Sequence, residues 1–136
     1  MTELHYLLDT NICICIRRAH PLTARARFSE HERGCAGLSI ITWGELLYGA
    51  THSQHPRQNR AKLDALVAFI PVIGMPDATA EHYGDIREHL ARSGTIIGAN
   101  DLWIAAHARA AKLTLVTHNV QEFKRVEGLG IEDWTS

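Results

Sequence analysis

No stretch of this 136-residue chain approaches the run of about 20 apolar residues that crosses a bilayer, which excludes a helical membrane protein. The N-terminus lacks the basic leader and apolar core of a signal peptide: Asp9 interrupts the apolar run of MTELHYLLD, and a cytosolic chain is expected. Cysteine is scarce. Cys13, Cys15 and Cys35 cannot all pair, and Cys13-x-Cys15 is neither a zinc nor a redox spacing, so the three read as small apolar residues. Nine histidines are present, but no cysteine pair completes a zinc site with His52-x-x-His55 or with His82 and His89. A surplus of positive charge is missing as well. The 14 Lys and Arg stand against 15 Asp and Glu, a net charge of −1, whereas strong phosphate binders usually carry a basic excess. Repeats, low-complexity tracts and a GxGxxG after the first apolar run are absent, which leaves one domain over residues 1–136 and no dinucleotide fingerprint.

What is present is an alternation of short apolar runs with helical periodicity. LHYLLD, CAGLSI, PVIGMP and TLVT read as strands, with a last short strand near IEDW. TNICICIRRA begins a helix, and PLTARARFSEHER is a second, closed by Gly34 as its C-cap. ITWGELLYGATH follows, with Thr42 as N-cap. HSQHPRQN reads as a loop, and RAKLDALVAFI places Leu63, Leu66, Val67 and Ile70 on one stripe. ATAEHYGDIREHLARSG is a helix closed by Gly94, and DLWIAAHARAAKL is another after the glycine-bearing loop TIIGAND. Strands alternating with helices predict an α/β fold with a mostly parallel sheet covered on both faces, and a ligand site outside the strands' carboxyl ends.

Three acids fall at such ends. Asp9 follows the first strand, where an Asp-Thr-Asn sequence also makes an ordinary helix cap. Glu45 lies three residues after Thr42, the spacing of a capping box. Asp101 opens its helix, where the macrodipole favours a carboxylate by about 0.3–1 kcal/mol. Each alone has a structural reason; their conjunction in three separate units predicts convergence at one end of the sheet. Carboxylates held close repel one another unless a cation intervenes, and hard oxygen donors suit Mg²⁺ or Mn²⁺ and phosphoryl chemistry.

These residues resemble the PIN-domain ribonucleases, and among them the VapC toxins of bacterial toxin–antitoxin pairs. The resemblance spans essentially the whole chain. It rests on YLLDTNICI around Asp9, SIITWGELLYGA around Glu45, GTIIGANDLWIAAHARAAKLTLVTHN around Asp101, and the closing EFKRVEGLGIEDW. It implies an α/β/α sandwich, a Mg²⁺-dependent endoribonuclease, and metal ligation by Asp9, Asp101 and Glu45, the last directly or through water. It further implies a homodimer restrained by a VapB-type antitoxin that enters the acidic site. Thr10, Asn11, Thr117 and Asn119 are expected to support the acids through hydrogen bonds.

The chain departs from the family pattern at a fourth acid, where it carries Asn119 in the run Thr117-His118-Asn119, so support for a second ion is weakened. Glu122, one turn on, reads as solvated. Asn119 together with the C-terminal EDW resembles the subgroup that cuts initiator tRNA in its anticodon stem-loop. Arg17, Arg18, Arg25, Arg27, Arg57, Arg60, Arg87 and Arg92 are available as a rim for RNA, and the helices bearing Leu46 and Leu63 serve either the core or a partner. Two other functions fit parts of the pattern. A phosphatase would use Asp9 as covalent nucleophile but needs an acid where Asn11 stands; an interaction module would keep the fold and partner without catalysis.

Overall fold

The computed structural model describes residues 3–136. Among them the strands are β1 (Tyr6–Leu8), β2 (Ala36–Ser39), β3 (Val72–Ile73), β4 (Thr114–Val116) and β5 (Ile131–Glu132). The helices are α1 (Thr10–Arg18), α2 (Leu22–Ser29), α3 (Ile40–Thr51), α4 (Pro56–Phe69), α5 (Thr79–Arg92), α6 (Ala99–Ala110) and α7 (Val120–Phe123). The strands form one sheet in the order β3-β2-β1-β4-β5, and every pairing is parallel.

The parallel arrangement follows from strands that are apolar on both faces. Leu7 and Leu115 point to one side, where they pack with Ile86 and Leu90 of α5, Ile104 of α6 and Phe123 of α7. Leu8 and Val116, one residue further along each strand, point to the other side and meet Ile12 and Ile16 of α1, Leu46 of α3 and Leu63 and Leu66 of α4. Full burial of each such side chain stabilises the domain by about 1.5–3 kcal/mol. The result is the expected α/β/α sandwich, with Leu46 and Leu63 spent in its core. At the β2–β3 edge the approach is so close that a Cβ on Gly37 would collide with the Ile73 side chain and lie 3.0 Å from the Pro71 carbonyl.

Some boundaries differ from the sequence expectation. The second helix ends at Ser29, and Gly34 (φ +97) sits instead in the turn that leads into β2, where Cys35 N–H donates to the Glu32 carbonyl. α4 starts at Pro56, a residue whose missing N–H suits a first helical position, so only part of HSQHPRQN is loop. Thr42 is not the N-cap of α3. Ser39, the last residue of β2, takes that place by accepting from Ile41 N–H at 3.2 Å, so the strand passes into the helix without a loop. The capping box therefore dissolves: Thr42 is buried within the first turn, and Glu45 lies in the second turn, free of the backbone. Among the described residues no helix is long and apolar enough to cross a membrane.

Candidate active site

β1 occupies the middle of the sheet, and from it the chain moves outward to β2 and β3 before returning to β4 and β5 on the other side. The carboxyl ends of β1 and β4 thus flank the point where the winding reverses, the place at which open parallel sheets leave a crevice. Asp9 stands at that point. Its N–H donates across to the Val116 carbonyl at 3.0 Å, and its Oδ1 accepts from Ile12 N–H at 2.9 Å, so the residue also caps α1. Burial pushes its carboxyl above the ordinary range, opposed by the Thr117 hydroxyl and the Ile12 amide and reinforced by the charges of Glu45 and Asp133. At 6 % exposure and bound to the helix start, Asp9 is poorly presented for covalent attack on a phosphate.

Glu45 arrives from α3. Its Oε1 accepts from Thr10 Oγ1 at 2.7 Å, which fixes the carboxylate over the start of α1. Asp101 lies in the first turn of α6, next to Gly98, the N-cap, which offers no side chain of its own. The helix N-terminus favours a charged carboxylate there, yet its carboxyl is pushed up to about 6. Burial is the main cause, followed by the charges of Glu122, Glu45 and Asp9. Burial, helped by the neighbouring charges, therefore outweighs what the helix N-terminus offers, and Glu45 and Asp9 both act on Asp101.

Glu122 is the residue that the sequence reading undervalued. It is only partly exposed on α7, the Asn119 side-chain amide donates to its carboxylate, and it acts on Asp101 more strongly than Glu45 or Asp9 does. Asn119 thus serves the cluster by steering an acid that stands three residues later. The Asn-x-x-Glu spacing at the start of a short helix was the available signal. Thr117, fully buried, accepts from Asn119 N–H at 2.9 Å while acting on Asp9, so it links the two ends of the crevice. Asn11 is exposed on α1 and makes no side-chain hydrogen bond among the described residues. His118 points outward, its Nδ1 within hydrogen-bond reach of Asp133 and of Thr135 Oγ1.

The donor set is uniformly hard oxygen, which fits Mg²⁺ or Mn²⁺ and not a thiolate-seeking ion. Among the described residues no three His, Cys, Asp or Glu side chains close directly around one point. A cavity of about 780 Å³ lies elsewhere, between α1, α2 and α4, with Ile16, Phe28, Leu66 and Phe69 on its walls. Three free cysteines, two of them buried, have no part in either place.

The family model of the PIN domain matches residues 6–129. The chain belongs to the PIN-domain family. Within it, this PIN domain is 44% identical to the tRNA(fMet)-specific endonuclease VapC of Shigella flexneri, over 97% of this chain and 99% of that one. It is 40% identical to Ribonuclease VapC2 of Haemophilus influenzae, over 96% and 98% of the two chains. Among solved structures, it matches a chain of VapBC2 from Rickettsia felis bound to a promoter DNA fragment, with a TM-score of 0.89, 37% identity and coverage of 96% and 99%. DNA-bound VapBC from Salmonella typhimurium gives a TM-score of 0.90 at 39% identity, with coverage of 97% and 99%.

Proposed function

We propose that this PIN domain is the toxin of a VapBC pair, a Mg²⁺- or Mn²⁺-dependent endoribonuclease that cuts initiator tRNA in its anticodon stem-loop and is restrained by a VapB-type antitoxin. The observation that carries the reading is the placement of Asp9 at the carboxyl end of β1 beside β4, with Glu45 held to the start of α1 by Thr10 and Asp101 in the first turn of α6, close enough for their charges to act on one another. Carboxylates gathered in this way repel one another, and a cation between them would relieve that repulsion. The names of the VapC relatives support RNA as substrate, and the VapBC structures support the antitoxin. The same reading includes a homodimer, with exposed Ile40 and Tyr48 of α3 available to a second copy.

Asp9 and Asp101 would hold the ion, with Glu45 joining through water. A divalent ion held there would supply activation of water toward phosphorus and offset of charge on the departing oxygen. The chain's own residues do the rest. Thr10 holds Glu45 toward the cleft, Thr117 holds Asp9, and Asn119 holds Glu122, so that three of the four acids are oriented by a neutral donor. No side-chain nucleophile is required.

Incubation of initiator tRNA with the purified chain tests this, with Mg²⁺ present or chelated, beside Asp9→Asn and Asp101→Asn. Cleavage that needs Mg²⁺ and vanishes in both variants is expected. Equal cleavage by all three proteins would reject the site. Antitoxin binding without cleavage of any RNA would instead favour the interaction module.

A further inference from the structure

Of the eight arginines available as a rim, four have other employment. Arg60 and Arg92 pair with Asp64 and Glu88 one helical turn away, and Arg27 with Glu132. Arg87 donates to Tyr83. Arg17, Arg18, Arg25 and Arg57 make no ion pair among the described residues, and of these Arg17 and Arg18, at the end of α1, line one cavity with Glu45. Neither makes an ion pair or a side-chain hydrogen bond among the described residues, and Arg17 Nε is buried without a partner. A desolvated guanidinium donor that is left unmade is costly, and a second cation beside it adds repulsion. Burial, and then Arg18, pushes the Arg17 guanidinium below its ordinary value.

Both arginines line a cavity of about 170 Å³ between α1, α3 and α4, several times the roughly 30 Å³ that one water occupies. Ser53 and Asn59 add polar groups to its wall. The same wall contains Thr10 and Glu45, so the cavity adjoins the acid cleft directly. Glu45 forms no ion pair with either arginine among the described residues; its Oε1 accepts instead from Thr10. The cavity therefore presents two unpaired cations and neutral donors one step from the acids.

We propose that Arg17 and Arg18 form a phosphodiester subsite that grips the RNA backbone on the Glu45 side of the acid cleft. This inference rests on the ribonuclease reading and deepens it. Guanidinium forks match the paired oxygens of a phosphodiester, and a strand laid across the acids leads its next phosphates into this cavity. The subsite also answers how a chain with net charge −1 holds a polyanion: two unpaired cations beside the site replace a general basic surplus.

The test is steady-state cleavage of a fluorescein-labelled anticodon stem-loop RNA in Mg²⁺ between about 50 and 200 mM KCl, with anisotropy binding of the same RNA in parallel. Wild type is compared with Arg17→Gln, Arg18→Gln, Arg17→Lys and the control Lys112→Asn, which lies before β4 at the opposite end of the sheet. Each Gln variant is expected to raise KM about tenfold with kcat little changed. Each is also expected to flatten the slope of log(kcat/KM) against log[salt] by roughly 0.7. Arg17→Lys should keep the slope and lose part of the affinity, and should do so even if Arg17→Gln fails to fold. KM and slope equal to wild type in variants of unchanged Tm would overturn the subsite. So would normal RNA kinetics accompanied by weakened antitoxin binding, which would assign the pair to an acidic protein. If wild type binds the RNA with an arginine-dependent salt slope but does not cut it, the ribonuclease reading fails and the subsite stands.

Discussion

Thr10 Oγ1 donates to Glu45 Oε1 at 2.7 Å, joining two residues 35 positions apart and tying the start of α1 to the second turn of α3. The bond turns an acid on a mobile side chain into one with a fixed direction. Thr10→Val removes the donor while keeping the shape, and kcat/KM is expected to fall about 10–100-fold, as when the supporting partner of a ligand is lost. Thr10→Ser, which keeps the hydroxyl, should retain most activity. Steady-state cleavage of the stem-loop RNA measures both; a Val variant as active as wild type would show that Glu45 needs no orientation.

Asp101→Asn separates activity from stability. The folded carboxyl, at about 6, titrates above its ordinary value of 3.8, so between those values the native state binds more protons than the unfolded chain. Its favourable contribution is therefore complete at low pH and lost as pH rises through about 6. In metal-free protein the variant should unfold at higher urea than wild type at pH 7.5, by roughly 1–2 kcal/mol after screening, and match it near pH 4. Mg²⁺ should narrow the gap by stabilising wild type alone. A variant less stable than wild type at pH 7.5 would mean that repulsion at this site is small.

Glu122 is expected to report on Asp101 through space. In Glu122→Gln the Asp101 carboxyl, followed by carbon-detected NMR, should titrate at lower pH than in wild type, because the second-largest cause of its elevation is gone. Asn119→Ala, which releases Glu122, should move it in the same direction by less. An unchanged Asp101 titration in Glu122→Gln would return Glu122 to the solvent.

Trp134 explains the closing EDW in structural terms. It is fully buried, stacks on His31 at 5.0 Å, meets Tyr6 edge-on at 5.2 Å, and donates Nε1–H to Glu132. It thereby anchors the segment in which Asp133 and Thr135 face His118. Thr135 and His118 overcome the desolvation of Asp133 and hold its carboxyl below the ordinary range. Trp134→Ala is expected to cost about 3–5 kcal/mol in a urea titration. A loss under 1 kcal/mol would mean that the C-terminus is not part of the core.

The periodicity of LHYLLD and TLVT announced both-face burial because Leu7 and Leu8 alternate between two cores, and Asp9 was legible because it ends such a run. Thr42 misled because a strand passing straight into a helix puts the cap at Ser39, a boundary that spacing alone does not reveal. Glu122 was obscured for a different reason. Its importance lies in facing Asp101 across the crevice between α7 and α6, a relation set by tertiary packing. The isolation of Arg17 and Arg18 was hidden likewise, since an arginine's lack of a partner is a property of the fold.

The central claim is that these acids converge to hold a divalent cation used on RNA. Mn²⁺ titration followed by electron paramagnetic resonance tests it most directly, on wild type, Asp9→Asn and Asp101→Asn, each shown to be folded. The account predicts saturable Mn²⁺ binding by wild type, competed by Mg²⁺ and weakened at least tenfold in both variants. Equal Mn²⁺ binding by all three proteins would contradict it.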